Sequence, residues 1–321
     1  MKQFFSVKDV QGPLQSLVAA AKSLKADPFQ FQHVGKNKTL GLVFLNPSLR
    51  TRLSTQKAAA NLGMTVMVLN MDKEGWALET QDGIVMNGST VEHIREAAAV
   101  MGEYCDILGL RSFPKLQDRE EDYSEDFFHK FSTYAGVPIV SLESATRHPL
   151  QSFTDLLTIQ EHWSQARRPK VVLAWAPHVK ALPQAVPNSF SEWMLAAEEQ
   201  GLVDFTIAHP EGYELNDEFT NGSRIVHNLD EGIEGADFIY VKNWSSYADY
   251  GAMPAVYGDW LLDPDKLSAR PEAKVMHCLP VRRNLELSAE VLDGPQSIVV
   301  QQASNRVWAA QAVLKELISG N

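Results

Sequence analysis

Two cysteines, Cys105 and Cys278, are all that the 321 residues contain, so no disulfide framework holds this chain together. No apolar run approaches the roughly 20 residues needed to cross a bilayer. The segment Met1 to Phe5 lacks the long apolar core and small-residue cleavage site of a secretory leader. A soluble protein of the cytoplasm is expected. Positive charge is in deficit, with a net charge of −11 and a sequence pI near 5.3. That balance argues against nucleic acid as a partner, which would want a basic face. Several motifs are missing as well. No G-x-G-x-x-G opens a helix, no G-x-x-x-x-G-K-[ST] occurs, and no G-x-S-x-G appears. Dinucleotide binding, nucleotide hydrolysis and nucleophile-elbow chemistry each lose their main support. His and Cys spacing fits no zinc pattern, and no metal or organic cofactor is expected.

Hydrophobic residues make up 45% of the chain and charged ones 21%, an ordinary globular balance for about two domains. Short β-rich runs alternate with helical ones. Strands are expected at Leu40–Leu45, Thr65–Leu69, Ile107–Leu110 and Pro138–Leu142, then at Val171–Trp175, Phe205–Ala208, Phe238–Val241 and Val275–Leu279. Helices are expected at Leu53–Leu62, Val91–Tyr104, Tyr123–Tyr134, Leu150–Trp163, Phe190–Gln200, Asp230–Gly235 and Asn305–Ile318. The stretch Ala174 to Asn188, with three prolines, reads as a long stiff loop. Such alternation predicts an α/β protein of two doubly wound parallel-sheet domains with an active-site cleft between them. The last helix is expected to pack back on the first domain. Ligands in such folds sit beyond the carboxyl ends of the strands. The polar segments 46–52, 111, 143–151, 175–178, 242–244 and 277–283 all fall there.

One segment stands out, Phe44-Leu45-Asn46-Pro47-Ser48-Leu49-Arg50-Thr51-Arg52. Strand, turn, then helix start presents backbone N–H groups to an anion. Ser48 and Thr51 add hydroxyls, and Arg50 and Arg52 add forked guanidiniums suited to phosphate oxygens. Ser48 as a plain N-cap, with the arginines in water, is the bland alternative. Seven arginines (Arg50, Arg52, Arg111, Arg147, Arg282, Arg283 and Arg306) lie near expected strand ends or loops, a local positive site in an acidic protein.

Four segments together carry more than any one of them. Ser48-Leu49-Arg50-Thr51-Arg52, His148-Pro149-Leu150-Gln151, His277-Cys278-Leu279-Pro280 and Asn305-Arg306 resemble, in order and spacing, the carbamoyltransferases. The resemblance covers essentially the whole chain. It implies a carbamoyl phosphate-binding domain at residues 1–147 plus 301–321 and an amino-acid-binding domain at 148–300. By resemblance, Ser48, Leu49, Arg50, Thr51 and Arg111 grip the phosphate. His148, Gln151, Cys278, Leu279 and Arg306 surround the carbamoyl group, and Arg50, His148, Cys278 and Arg306 form the catalytic set. Cys278 as a covalent nucleophile is disfavoured, because direct transfer to an amine needs no such intermediate.

Within the family, the Asp-x-x-x-Ser-Met-Gly loop of ordinary ornithine enzymes is absent, and Tyr240-Val241-Lys242-Asn243-Trp244 stands in its place. That segment, with Trp175-Ala176-Pro177-His178 and His277 to Asn284, resembles the branch acting on N-acylated ornithine. The resemblance implies that Glu143, His178 and Lys242 contact the acylated amino acid, with Lys242 on its α-carboxylate. It also implies a homotrimer with shared sites, Trp76 supplied by a neighbouring subunit, and a knotted loop at Pro177 to Pro187. In the acetyl enzymes an acidic residue stands where Val91 lies and a carboxylated lysine where Glu286 lies. A neutral Val91 lifts the repulsion of a succinyl carboxylate, and Arg147 also resembles the succinyl type. N-Succinylornithine is therefore the expected substrate, N-acetylornithine the alternative. A dehydrogenase on a similar frame, or a non-catalytic anion-binding homologue, are the readings from other classes.

Overall fold

The computed structural model describes residues 1–71, 73–252 and 258–320. The chain divides into two compact units: unit 1 is Met1–Lys115, Glu120–Leu150 and Arg306–Asn321, and unit 2 is Leu116–Arg119 and Gln151–Asn305. Unit 1 contains β1 (Gln3–Phe4), β2 (Thr39–Phe44), β3 (Thr65–Asn70), β4 (Leu78–Glu79), β5 (Glu92–His93), β6 (Ile107–Arg111) and β7 (Ile139–Glu143). Five of these form one parallel sheet in the order β1-β7-β6-β2-β3, while β4 and β5 pair separately. Unit 2 contains β8 (Lys170–Trp175), β9 (Asp204–Ala208), β10 (Arg224–Val226), β11 (Phe238–Lys242) and β12 (Lys274–Met276). Its parallel sheet runs β10-β9-β8-β11-β12.

The inner strands of both sheets are buried on their two faces, which is why they are nearly continuous apolar runs. Leu40, Leu42, Val43 and Phe44 of β2 and Val171, Val172, Leu173 and Trp175 of β8 are all buried. The strand orders also fix where each sheet can hold a ligand. In unit 1 the chain leaves β2 for β3 on one side and returns as β6 on the other. In unit 2 it leaves β8 for β9 and β10, then returns as β11 on β8's free side. Each reversal opens a crevice at the carboxyl ends of the two central strands. The residues at those ends are 45–52 and Arg111 in unit 1, and the segments after Trp175 and Lys242 in unit 2.

All eight expected strands form. The one expected to end at Leu279 stops at Met276, because the His277 amide donates to the Gln302 side chain and leaves the ladder. Leu279 lies beyond it with φ 57°. Other boundaries also differ from expectation. The helix expected at Tyr123–Tyr134 is two, Arg119–Ser124 and Asp126–Ala135, broken at Glu125 with φ 51°. Val91 precedes its helix, which runs Ile94–Tyr104 with His93 accepting from the Arg95 amide as the cap. The loop expected to reach Asn188 ends at Gln184, since a helix runs Ala185–Glu199. Pro187 does not prevent this, because it sits in the first turn, where a missing N–H costs no helical bond. The final helix is longer than expected, Val299–Ser319, so Arg306 lies within a helix and not at a strand end or loop. The β-branched start Ile298-Val299-Val300 hid that first turn from the pattern. In unit 1 this helix packs as expected: Asn61 donates to the Gln311 side chain at 2.9 Å.

Candidate active site

In unit 1 the helix Arg50–Asn61 begins immediately beyond β2, with Leu49 as its N-cap residue and no side-chain cap. Ser48 is therefore not the capping residue, and the bland reading of that serine fails. The N–H groups of the first turn have no intrahelical acceptor and form the positive end of the helix dipole. Thr51, in that turn, is buried, and its hydroxyl takes two guanidinium contacts, Arg306 Nη2 at 2.6 Å and Arg111 Nη1 at 3.5 Å.

Arg111 is placed by a register shift between β6 and β7. Leu110 pairs with Ser141 but Arg111 pairs with Glu143, and Glu143 itself has φ 153°. Irregular pairing of this kind re-aims side chains next to sites. Here it sets the Arg111 guanidinium 2.7 Å from the Glu143 carboxylate, with both side chains about nine-tenths buried. The same guanidinium lies 4.4 Å from the Phe113 ring centroid. His148 follows, its Nε2 at 3.6 Å from Glu143, too long for a hydrogen bond. Burial first, then the charges of Arg306 and Arg111, hold the His148 ring well below its usual pKa, so it is neutral at pH 7. Its Nδ1 is buried without a hydrogen-bond partner among the described residues. The loop that delivers it is tied down by Glu125, whose carboxylate accepts from the Ser144 hydroxyl and from the amide and hydroxyl of Thr146. Neither the left-handed backbone of Glu125 nor its reach was legible in the sequence.

Arg50 and Arg52 flank Thr51 at half-exposed positions, and Arg52 donates to Asn70 at 3.3 Å. Trp76 and Val91 are elsewhere in unit 1, both exposed. The Trp76 indole donates to Glu92 at 2.9 Å, and the Val91 amide donates to Ala77 just before β5. Arg147 does not enter the cluster but lies over the Phe5 ring at 5.3 Å.

Unit 2 holds the remaining expected residues. Gln151, in the first turn of the helix Pro149–His162, donates to Asp155 at 2.7 Å, and Gln302 donates to the same oxygen at 2.7 Å. Burial, then Asp155 and Cys278, hold the Tyr240 hydroxyl well above its usual pKa. Cys278 is a reduced, half-buried thiol. Lys242, at the end of β11, is buried and donates to its neighbour's carbonyl, Asn243 O, at 2.8 Å. His178 Nε2 accepts from Arg282 Nε at 3.2 Å. Arg283 is committed elsewhere, to a two-pronged pair with Asp293 at 2.6 and 2.7 Å.

Glu286 is the functional-looking residue that motif reading left without a role. It is buried 3.6 Å from His277, and it accepts from the Arg282 amide at 2.7 Å. Burial pushes its carboxyl up, but the His277 ring, the Lys242 charge and the Arg282 amide outweigh that and bring it down to about 2. A carboxyl depressed on folding stabilises the protein above its unfolded pKa, near 4.5, and that contribution fades as pH falls toward 2. The contribution is on the order of 3 kcal/mol. Glu286→Gln should therefore flatten the fall in urea midpoint between pH 6 and pH 3; parallel curves for the two proteins would show that the carboxyl is not depressed.

Residues 2–161 match the family profile of the aspartate/ornithine carbamoyltransferase carbamoyl-P binding domain, and residues 186–317 that of the Asp/Orn binding domain. The chain belongs to the aspartate/ornithine carbamoyltransferase family. Among its relatives, the N-succinylornithine carbamoyltransferase of Bacteroides thetaiotaomicron is 50% identical, over 100% of this chain and 99% of that one. The N-acetylornithine carbamoyltransferase of Xylella fastidiosa is 33% identical, over 99% of each chain. One crystal structure similar to this carbamoyltransferase is a glutamate-to-valine mutant of N-acetyl-L-ornithine transcarbamylase, complexed with carbamyl phosphate and N-succinyl-L-norvaline. It superposes with a TM-score of 0.90 at 33% identity, covering 99% of this chain and 100% of that one.

Proposed function

We propose that the protein transfers the carbamoyl group of carbamoyl phosphate to the side-chain amine of N-succinyl-L-ornithine, giving N-succinyl-L-citrulline and phosphate in arginine biosynthesis. The observation that carries the reading is the unit 1 cluster. A helix N-terminus, the Thr51 hydroxyl and the guanidiniums of Arg111 and Arg306 converge beside a neutral His148 with a spare nitrogen. A buried polar atom without a partner costs about 1–3 kcal/mol, which the carbonyl oxygen of a bound carbamoyl group would relieve by accepting from it.

The chemistry follows from those groups. The unprotonated amine attacks the carbamoyl carbon, and charge builds on the carbonyl oxygen. The donors His148 and Arg50 stabilise that charge. The bond from carbon to the bridging oxygen breaks, and phosphate leaves with the electron pair. Arg50, Arg111 and the helix N-terminus neutralise it, and it takes up the proton lost by the attacking nitrogen. Ser48 and Leu49 complete the phosphate cradle. Gln151, Cys278 and Leu279 orient the carbamoyl group. In unit 2, Lys242 holds the α-carboxylate of the amino acid, flanked by His178; Glu143, in unit 1, contacts the acylated amino acid.

Val91 is assigned to the acyl group, where a neutral side chain admits the succinyl carboxylate. The succinyl ligand in the valine mutant of the acetyl enzyme supports this assignment. The assembly is proposed to be a homotrimer in which a neighbouring subunit lends Trp76. No helix among the described residues is long and apolar enough to cross a membrane.

The test is citrulline-type product formation from carbamoyl phosphate with ornithine, N-acetylornithine and N-succinylornithine in parallel. Turnover with the succinyl compound alone is expected. The acetyl compound as best substrate keeps the reaction and removes the specificity, whereas plain ornithine removes the role given to Lys242.

A further inference from the structure

We propose that unit 2 carries a binding site for a transition-metal ion of the zinc class, built from His209, His227 and Glu214. Sheet register creates it. β9 and β10 pair with Ala208 opposite Val226, and the His209 amide donates to the Val226 carbonyl at 3.1 Å. The next residue on each strand is a histidine. Two imidazoles therefore leave neighbouring strand ends side by side, with ring centroids 5.0 Å apart. One nitrogen of each ring and one Glu214 carboxylate oxygen lie within 4.8 Å of one another.

Hydrogen bonding prepares the donors. His209 Nδ1 lies 2.8 Å from the Pro210 carbonyl, and His227 Nδ1 lies 3.1 Å from the His209 carbonyl. A carbonyl only accepts, so both Nδ1 atoms carry the proton and both Nε2 atoms keep their lone pairs. An imidazole whose other N–H is spent on a carbonyl is the usual condition of a metal ligand. Glu214 is oriented in the same way, its Oε1 accepting from the Gly212 amide at 3.2 Å.

Mobility is divided suitably. His209 is only 1% exposed and packs against Trp244, ring centroids 6.2 Å apart, so it is fixed. His227 and Glu214 are exposed, which leaves their side chains room to close on an ion. Donors around a tetrahedral ion with bonds of 2.0–2.1 Å sit about 3.4 Å apart, a modest closure from the observed spacing. Two imidazoles and one carboxylate suit zinc or cobalt, where magnesium and calcium want oxygen alone. Water takes the fourth position. The site is separate from the Lys242 and Glu286 cluster, which lies at the end of β11 two strands away in the sheet order. Spacing in the sequence concealed it, since the histidines are 18 positions apart and only the strand pairing unites them.

The experiment is calorimetric titration of the untagged full-length protein with ZnCl2 in a non-coordinating buffer. One ion per chain is expected, with no heat from MgCl2. Because their side chains are exposed, His227→Ala and Glu214→Ala should fold normally, and each should weaken zinc binding by about tenfold or more. CoCl2 should give visible d–d absorption that His227→Ala abolishes. Absence of zinc binding by the wild type, or an affinity unchanged in both variants, overturns the site. Turnover in the two variants should be unchanged.

Discussion

Arg111→Met is expected to lower kcat/KM for carbamoyl phosphate by about 10²–10³-fold, the usual cost of one fixed donor to developing charge. Two effects have to be separated in that result. Arg111 is buried against Glu143 at 2.7 Å, so its loss leaves a carboxylate in the interior without its cation. Breaking such a pair costs roughly 3–5 kcal/mol of stability, enough by itself to deplete the folded protein. The double variant Arg111→Met/Glu143→Gln removes the stranded charge, and Glu143→Gln alone sets the baseline. The double variant should regain the melting temperature of that baseline without its turnover. Recovery of both would make Arg111 a structural partner of Glu143 and nothing more.

Val91→Glu is expected to shift the preference from the succinyl toward the acetyl substrate. A glutamate about 4 Å from the succinyl carboxylate meets it with a repulsion of roughly 1–4 kcal/mol, between the limits of bulk water and a partly screened surface. Val91 is 65% exposed, which places the effect nearer the lower figure and predicts a shift of about tenfold. The acetyl substrate carries no second carboxylate and should lose little. Competition between the two substrates in one assay reads the ratio directly. An unchanged ratio would remove Val91 from the acyl pocket.

Legibility in the sequence followed the physics of each feature. Parallel strands announce themselves because burial on both faces demands continuous apolar runs, and Leu40 to Phe44 and Val171 to Trp175 read as such. Short edge strands such as β1 and β10 did not, since two or three residues carry too little pattern. Thr51 and Arg111 were found as types suited to an anion, one opening a helix and one ending a strand. What joins them was not legible. The pairing of Arg111 with Glu143 depends on a register shift, and the hold of Glu125 on Thr146 depends on a left-handed residue. Glu286 shows the opposite limit. Motif comparison marked it as a substitution, yet only its place near Lys242 and His277 gives the carboxyl its charge at low pH.

The Arg306 contact has a consequence for the order of synthesis. Thr51 receives the Arg306 guanidinium across 255 positions, and Asn61 meets Gln311 across 250. Unit 1 is therefore discontinuous in sequence, with nearly all of unit 2 translated between its parts. A ribosome adding about 5–20 residues per second leaves the first sheet exposed for roughly ten seconds or more before its last helix emerges. Through that interval the nascent protein has Thr51 and Arg111 but lacks Arg306. The cluster is completed only once the last helix has been translated, so a ribosome stalled before it carries no finished enzyme.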